Sequence, residues 1–239
     1  MTRDKANHGP IVFTRHGMIR GARAALPMLL GTIPFSLVTG IAAQSAGLSA
    51  LEQIIMSATV FGGAAQLLVL GNWATPAPVL TATLAAFTVN LRLLLMGPVL
   101  GPWFDRLRGW PLWGSLFLLV DQNWGLAVRE MNAGGRDAGW IFGSGLAMWL
   151  QWVVVSAVGH AAGATLRLPP GHPLFFCSLA VFVCMLAGQW RGRIDILPWV
   201  VAAGVAITTS LIWPGSFYYI VAGAVAGSLT GAIRDTLRA

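Results

Sequence analysis

An arginine, an asparagine and an aspartate lie inside apolar stretches of this 239-residue chain that are long enough to cross a membrane. Asn90 and Arg92 belong to "TLAAFTVNLRLLLMGPVLG", and Asp121 belongs to the next stretch, "GWPLWGSLFLLVDQNWGLAV". A charge in the middle of a spanning helix costs about 2.5 to 3.5 kcal/mol on insertion scales, so such residues usually have a partner or a function. We expect Arg92 and Asp121 to form an ion pair or to share an aqueous cavity.

The alternative for Arg92 is snorkelling of its guanidinium to the membrane interface. That is unfavourable because about eight residues, more than two helical turns, separate it from the end of the run at Gly101. Asp121 is the only acid well inside a predicted span, which makes it the natural candidate for proton coupling.

The first apolar stretch contains residues that disturb helices. In "LPMLLGTIPFSLVTG", Gly31 and Pro34 lie within the span, and Phe35 follows directly. Proline removes a helix hydrogen bond and clashes with the preceding turn. The segment is therefore either a kinked helix or an interrupted one, whose exposed backbone groups could build a site as they do in many transporters.

The second apolar stretch places a glycine pair before a buried amide. In "VFGGAAQLLVLG", Gly62 and Gly63 begin a patch of small residues, and Gln66 follows. Small residues allow either close helix packing or unwinding around a ligand. Gln66 could offer a donor and an acceptor to a zwitterion, or it could join two helices by hydrogen bonds.

The composition excludes an ordinary soluble domain. Hydrophobic residues make up 56% of the chain, charged residues only 10%, and the mean hydropathy is +0.71. A soluble domain of this length would be about a quarter charged. The chain is therefore expected to be an integral membrane protein in a lipid bilayer, and its net charge of +7 is assigned to cytoplasmic segments, not to nucleic-acid binding.

Uncharged runs separated by charged residues predict about eight transmembrane helices, some interrupted, in one transporter domain over 1–239. Seven spans are possible, because the loop at 71–78 carries no charge. No alternating short segments indicate strands, so the fold class is all-α and polytopic. The predicted spans are 24–51, a second and third within 53–100 divided at 71–78, 109–128, 138–166, 172–190, and two within 196–233 divided at 213–216.

The distribution of positive charge predicts the orientation. With residues 1–20 as a basic cytoplasmic tail, eight spans leave both termini inside and most arginines and lysines on the cytoplasmic side. Only Arg106, Arg108 and Arg167 fall on the outer side in this topology.

Motifs of enzymes and of metal sites are absent from the sequence. The chain has no Walker loop and no H-E-x-x-H pair, and "FGSG" at 142–145 lacks the first glycine of an intramembrane serine protease signature. Neither its two cysteines nor its isolated histidines have the spacing of metal ligands. We therefore expect no cofactor, no metal and no enzymatic activity.

Four motifs together resemble the AzlC-type, or azaleucine-resistance, branched-chain amino acid permeases. The family pattern has Pro-Phe in the first span, a small-small-x-Gln patch in the second, Asn-Leu-Arg in the third and Asp-Glu in the fourth. This chain has "LPMLLGTIPFSLVTGIAAQSAGLS", "SATVFGGAAQLLVL", "VNLRLLLMGP" and "DQNW" in that order. The resemblance covers essentially the whole chain, with one departure: Gln122 stands where the family has glutamate.

The resemblance implies a secondary transporter that exports valine-, leucine- or isoleucine-type amino acids across the bacterial inner membrane. It also implies a small hydrophobic partner of the AzlD type. We expect the substrate-binding or coupling residues among those that match the motifs or lie beside them, namely Pro34, Phe35, Gly62, Gly63, Gln66, Asn90, Arg92 and Asp121.

Two alternatives remain open at this point. The chain could be a structural or regulatory membrane subunit that transports nothing itself, or it could move another small amino acid or an amine. Transport by the purified chain with its partner would distinguish the first alternative from a transporter.

Overall fold

The described part of the protein is built of helices. The computed structural model describes residues 10–71, 73, 79–165, 192–214 and 218–236, and the single positions 183, 187 and 190. These residues contain no strand, only an isolated bridge between Val12 and Asp137, so the all-α prediction is confirmed. The helices are α1 (Arg15–Ser45), α2 (Ala50–Thr59), α3 (Gly63–Leu70), α4 (Val79–Met96), α5 (Gly101–Phe104), α6 (Trp110–Phe117), α7 (Asp121–Asn132), α8 (Gly139–Thr165), α9 (Ile196–Ile212) and α10 (Tyr218–Thr236), with a 3-10 turn at Gly97–Leu100.

Helices α1 and α8 form the central pair. Among the described helices, these two are long and apolar enough to cross a membrane. Their backbones touch at glycines: a Cβ on Gly21 would lie 1.9 Å from the Trp140 carbonyl oxygen, and one on Gly40 would lie 1.9 Å from that of Ser156. Residue numbers rise in the same direction along both helices, so the pair is parallel. We call the end where both helices begin the basal end, and the end where both finish the distal end.

One carboxylate joins the two helices at the basal end. Asp137 Oδ1 accepts hydrogen bonds from the backbone N–H of Thr14 and of Gly139, each at 3.0 Å, and Oδ2 accepts one from the Thr14 hydroxyl. The Thr14 oxygen in turn caps α1 by accepting from a backbone N–H of its first turn. Helix α1 starts at Arg15, within the segment 1–20 that was expected to be a tail.

Helices α2 and α3 form a hairpin, named hairpin 1, that enters and leaves at the distal end. Helix α2 descends along α8, because the Leu48 carbonyl meets His160 Nε2 at 2.7 Å and the Ala58 carbonyl accepts from Trp149 Nε1 at 3.0 Å. Helix α3 then returns, and Leu70 packs in the same buried cluster as Leu48. The predicted second span therefore turns back halfway instead of continuing across.

Helices α6 and α7 form hairpin 2, which enters and leaves at the basal end. Trp110 begins α6 with its ring 5.3 Å from Phe13. A carbonyl oxygen in the turn lies 2.7 Å from the position that a Cβ on Gly145 would take. Helix α7 returns to a 2.7 Å salt bridge between Glu130 and Arg20 of α1. The predicted fourth span is thus also a hairpin.

These two hairpins correct the predicted topology. Among the described residues between α1 and α8, only helix α4 connects the distal end to the basal end, and the number of eight spanning helices is not confirmed. The sequence predicted Arg106 and Arg108 on the opposite side from Arg136. All three lie at the basal end, because Trp103 Nε1 donates to the Gly135 carbonyl at 3.2 Å. The predicted sixth span, 172–190, lies outside the described residues apart from its three single positions.

Helix α1 runs without interruption through the prolines of the first span. It continues from Arg15 to Ser45 with Pro27 and Pro34 inside it. The Ser36 hydroxyl hydrogen-bonds to the backbone carbonyl four residues earlier. Of the two alternatives, a kinked helix and an interrupted one, the interruption is not observed.

Helices α9 and α10 pack antiparallel through small residues. A Cβ on Gly223 would lie 2.9 Å from the Ala202 carbonyl oxygen, and one on Gly227 would lie 2.8 Å from the Ala202 Cβ. The small-residue spacing in the last helix therefore serves packing within the chain.

We expect Gly40→Ala to destabilise the protein. The new Cβ would meet the Ser156 carbonyl at 1.9 Å, and backbone cannot move aside as a flexible side chain can. Overpacking of this kind costs about 1 to 3 kcal/mol or more. Gly31→Ala on the same helix is the control, because a Cβ there meets nothing within 4 Å. Unfolding in detergent measures both, and equal stabilities would contradict the close packing.

The hairpins predict a specific labelling pattern in membranes. Single cysteines at Ala46 and Trp73 should react with an impermeant thiol reagent from one side, because hairpin 1 returns to the end where it started. Cysteines at Arg106 and Arg136 should react from the other side. If the spans were straight, the cysteine at Trp73 would label from the same side as the one at Arg136, and the cysteine at Arg106 from the same side as the one at Ala46. That pattern would refute the hairpins.

Candidate functional site

The turn of hairpin 1, named tip 1 (residues 60–62), is a break between two helices. Helix α2 ends at Thr59 with Val60 as its C-cap, and Gly62 is the N-cap of α3 with φ −162°, an extended conformation. No side chain caps α3. The first backbone N–H groups of α3 therefore carry the positive end of its helix dipole at the tip. Gly62 is therefore non-helical, whereas Gly63 is helical and packs closely against Trp152 and Phe35; unwinding around a ligand stays a prediction.

Gln66 closes tip 1 on the inner side. Its side chain is 1% exposed, and Nε2 donates to the Val60 carbonyl at 2.6 Å and to the Met56 carbonyl at 3.3 Å. Its Oε1 accepts from Trp152 Nε1 at 3.2 Å. Both carbonyls also accept backbone bonds, Met56 from the Val60 N–H and Val60 from the Gly62 N–H, each at 2.9 Å. The Gln66 side chain therefore joins the two sides of tip 1 to Trp152 of α8, and its proposed contact with a substrate stays a prediction.

The turn of hairpin 2, named tip 2 (residues 118–120), is held by one buried amide. Asn123 is fully buried, its Oδ1 accepts from the Val120 N–H at 2.8 Å, and its Nδ2 donates to the Leu118 carbonyl at 2.7 Å. The turn ends where α7 begins, and Asp121 is the first residue of that helix. A carboxylate at a helix N-terminus is stabilised by the dipole.

The two tips meet at a small cavity halfway along the central pair. Its volume is about 50 Å³, enough for a few water molecules. Any larger ligand therefore requires the tips to move apart. The lining residues come from both tips and from the middle of α1 and α8: Thr32, Phe35, Phe61, Gly62, Gly63, Ala64, Val120, Asp121, Gln122, Met148 and Trp152.

The cavity combines an apolar wall with a few polar groups. Phe35 and Trp152 pack edge to face, with ring centroids 5.2 Å apart. A Cβ on Gly63 would lie 2.4 Å from the Trp152 ring, so only glycine lets tip 1 approach this wall. Thr32 donates to Gln151 Oε1 at 3.1 Å, which fixes one polar corner. Asp121 is the one acid among the lining residues.

The structure brings together half of the residues predicted from the sequence. Phe35, Gly62, Gly63 and Asp121 line the cavity. Gln66 lies behind tip 1, as described above. Pro34 lies within α1, beside Phe35, and is not among the lining residues.

Asn90 and Arg92 belong to α4, on the other side of tip 1. A Cβ on Gly62 would lie 3.1 Å from Asn90 Oδ1, so this amide faces the tip from behind. Arg92 lies on α4, two residues further along, and its side chain lies outside the described part of the structure. The predicted pairing of Arg92 with Asp121 therefore stays a prediction.

Sequence reasoning missed the contribution of the fifth span. Met148 and Trp152 line the cavity, and Gln151 Nε2 donates to Ser36 Oγ at 3.0 Å. A signal was present, because Gln151 is a lone amide inside an apolar run that otherwise resembles a lipid-facing helix.

A second space, named the groove, lies between hairpin 1 and α4. It has a volume of about 730 Å³ and is lined mainly by apolar side chains of α2, α3 and α4. Glu52 lies at its distal mouth, where the Ser49 backbone N–H and then the Ser49 hydroxyl hydrogen-bond to the carboxylate and lower the pKa of Glu52. The mouth therefore carries a negative charge at neutral pH.

Comparison with known families identifies the chain. The AzlC protein family matches residues 27–166, which begin within α1 and include both hairpins, α4 and α8. The chain belongs to the AzlC family. The match ends where the central pair ends, so both tips and the cavity lie within the part that defines the family. No solved structure matches the protein.

Three curated proteins are similar to this AzlC-family protein over most of its length. "Inner membrane protein YgaZ" of Escherichia coli is 26% identical over 226 residues, covering 90% of each chain. "Branched-chain amino acid transport protein AzlC" of Bacillus subtilis is 24% identical over 212 residues, covering 86% of this chain and 81% of its own. An uncharacterised membrane protein of Archaeoglobus fulgidus is 26% identical over 212 residues. These names and the apolar helices establish a membrane protein of a transport family.

We expect Gln66→Leu to destabilise the fold through tip 1. The change leaves the Trp152 N–H without its acceptor, and it removes one of the two donors of the Val60 carbonyl, which keeps the Gly62 N–H at 2.9 Å. Each unsatisfied buried group costs about 1 to 3 kcal/mol. In a Trp152→Phe background one of those groups is already absent, so the loss in unfolding free energy should be smaller. An identical loss in both backgrounds would show that the Gln66–Trp152 bond contributes nothing.

Proposed function

We propose that this AzlC-family protein exports branched-chain amino acids across the inner membrane, with its substrate site between the two hairpin tips. The supporting observation is the meeting of two oppositely directed hairpins at a cavity in the middle of the central pair. Interrupted helices at bilayer depth are a common way for transporters to bind polar substrates. The name of the Bacillus subtilis relative, which specifies branched-chain amino acid transport, supports the substrate class.

Each part of a zwitterionic amino acid has a complementary group in this site. The backbone N–H groups at the start of α3 suit the carboxylate, because a helix N-terminus attracts anions. The Asp121 carboxylate suits the ammonium group. Phe35, Met148 and Trp152 form the apolar wall on which a branched aliphatic side chain would pack. Arg92 is a second candidate for the carboxylate, with Asp121 competing for it.

The opposite directions of the hairpins suit alternating access. Hairpin 1 separates the cavity from the distal side, and hairpin 2 separates it from the basal side. Withdrawal of one tip at a time would open the site to one side only. Protonation of Asp121 by the proton gradient would weaken its hold on the ammonium group and bias this exchange, which would couple export to protons.

The basal end is proposed to face the cytoplasm, with both termini on that side. Positive residues concentrate at cytoplasmic ends of membrane helices, and the return of hairpin 1 brings Arg106 and Arg108 to the basal end, where the sequence did not predict them. The basal arginines are Arg15, Arg20, Arg23, Arg106, Arg108, Arg129 and Arg136. A small hydrophobic subunit of the AzlD type is proposed as the partner, as the family resemblance implies.

We expect Asp121→Asn and Arg92→Ala each to reduce valine efflux strongly from liposomes that contain the protein and its partner. Loss of one charge-assisted hydrogen bond to the substrate costs about 2 kcal/mol, or about thirtyfold in apparent affinity. Asp105→Asn, an exposed carboxylate in the connection at the basal end, is the matched control and should retain efflux. Membrane insertion should be equal in all variants.

Normal efflux from both site variants would refute the site assignment. Absence of valine counterflow by the unmodified protein with its partner would instead favour a structural or regulatory subunit. Counterflow of a different small amino acid or of an amine, and not of valine, would change the proposed substrate class and would not contradict the proposed site.

A further inference from the structure

We propose that the groove between hairpin 1 and α4 is a water-filled path from the distal side to the cavity, with Phe61 as its gate. This inference rests on the proposed transport function and adds to it a route and a gating residue. The groove and the cavity are separate spaces, and Phe61 at tip 1 is the residue that lines both. Its ring therefore lies between the large groove and the small cavity.

Polar side chains follow the two facing walls of the groove. Glu52 and Thr59 lie seven residues apart on α2, and Thr83 and Asn90 lie seven residues apart on α4. Seven residues are close to two helical turns, so each pair marks one face of its helix. The Thr59 hydroxyl is satisfied by the Ile55 carbonyl at 2.7 Å, so a hydrated groove chiefly removes the cost of the Glu52 carboxylate and the Asn90 amide in lipid.

The two ends of the path and its wall have groups that suit a small amino acid. At the distal mouth, the ionised Glu52 attracts the ammonium group of an amino acid. At the inner end, Asn90 faces Gly62 from the groove side, directly behind the N-terminus of α3. Along the path, residues such as Ile55, Val69 and Phe87 provide apolar surface for an aliphatic side chain. A small zwitterion with an apolar side chain matches this sequence of surfaces.

Cysteine reactivity tests whether the groove contains water. In right-side-out vesicles, Thr83→Cys should react with a cationic, impermeant methanethiosulfonate, because a hydrated thiol ionises. Leu84→Cys, the adjacent residue on another face of α4, is exposed on the helix surface and absent from the groove lining. It should stay unreactive, since lipid suppresses the thiolate. No reaction at Thr83→Cys, as expected if lipid or a partner helix fills the groove, would overturn the path.

A reporter inside the cavity tests the gate. Met148 lines the cavity and is only 5% exposed. A cysteine placed there by Met148→Cys should therefore react slowly with the same reagent from the distal side. Phe61→Ala should accelerate that reaction about tenfold or more, because the partition between groove and cavity is removed. Phe117 lines the groove and is not among the residues that line the cavity. Phe117→Ala removes a ring of equal size from the groove and should leave the rate of the Met148→Cys reaction unchanged. Equal rates in both variants would overturn the assignment of Phe61.

Phe61→Leu is tested as well, in case the alanine variant does not fold. An intermediate acceleration of the Met148→Cys reaction in Phe61→Leu supports the gate, and an unchanged rate overturns it. The labelling does not depend on transport. If the unmodified protein with its partner does not transport valine but the labelling pattern is as expected, the proposed function is refuted and the path is supported. Valine transport with an unreactive Thr83→Cys would refute the path and leave the proposed function standing.

Discussion

The close approach of the α1 and α8 backbones is the constraint on which the rest of the structure depends. Lipid offers no hydrophobic driving force between helices, so association relies on van der Waals contact over a long interface. Glycines allow that contact, as at Gly21 against Trp140 and Gly40 against Ser156, and Asp137 fixes the register by capping both helices at once. The pair therefore provides a rigid frame to which both hairpins attach at defined heights.

Each hairpin exposes backbone groups that a membrane cannot satisfy, and buried side chains supply the missing partners. Gln66 and Trp149 bond to carbonyls at the end of α2, and Asn123 bonds to both a carbonyl and an N–H of tip 2. The positive end of α3 at the cavity has no side-chain cap. A helix end left in this way is suited to a substrate, which would complete the pattern that the side chains begin.

The two tips would divide the roles of the proposed transport site between them. Tip 1 offers backbone N–H groups and an apolar partition, whereas tip 2 offers the carboxylate of Asp121. Because the hairpins approach from opposite ends of the central pair, the residues proposed to bind the substrate would also block its exit to one side or the other. In this proposal, binding and gating are properties of the same short segments.

Sequence alone determined the class of protein, the positions of most helices and the residues with unusual chemistry. Length and hydropathy gave the membrane assignment, and the glycines at 62 and 63 located one break. Sequence could not determine the direction of the chain after a break, because two half-helices that fold back contain as many apolar residues as one helix that crosses. The outer placement of Arg106 and Arg108 was the only sign of the error, and it was weak. The tertiary structure decided the hairpins through contacts between residues far apart in the chain, such as Glu130 with Arg20 and Gln66 with Trp152. It therefore also decided which of the predicted residues share a cavity, since Asp121 reaches Gly63 only when both breaks fold back to the same height.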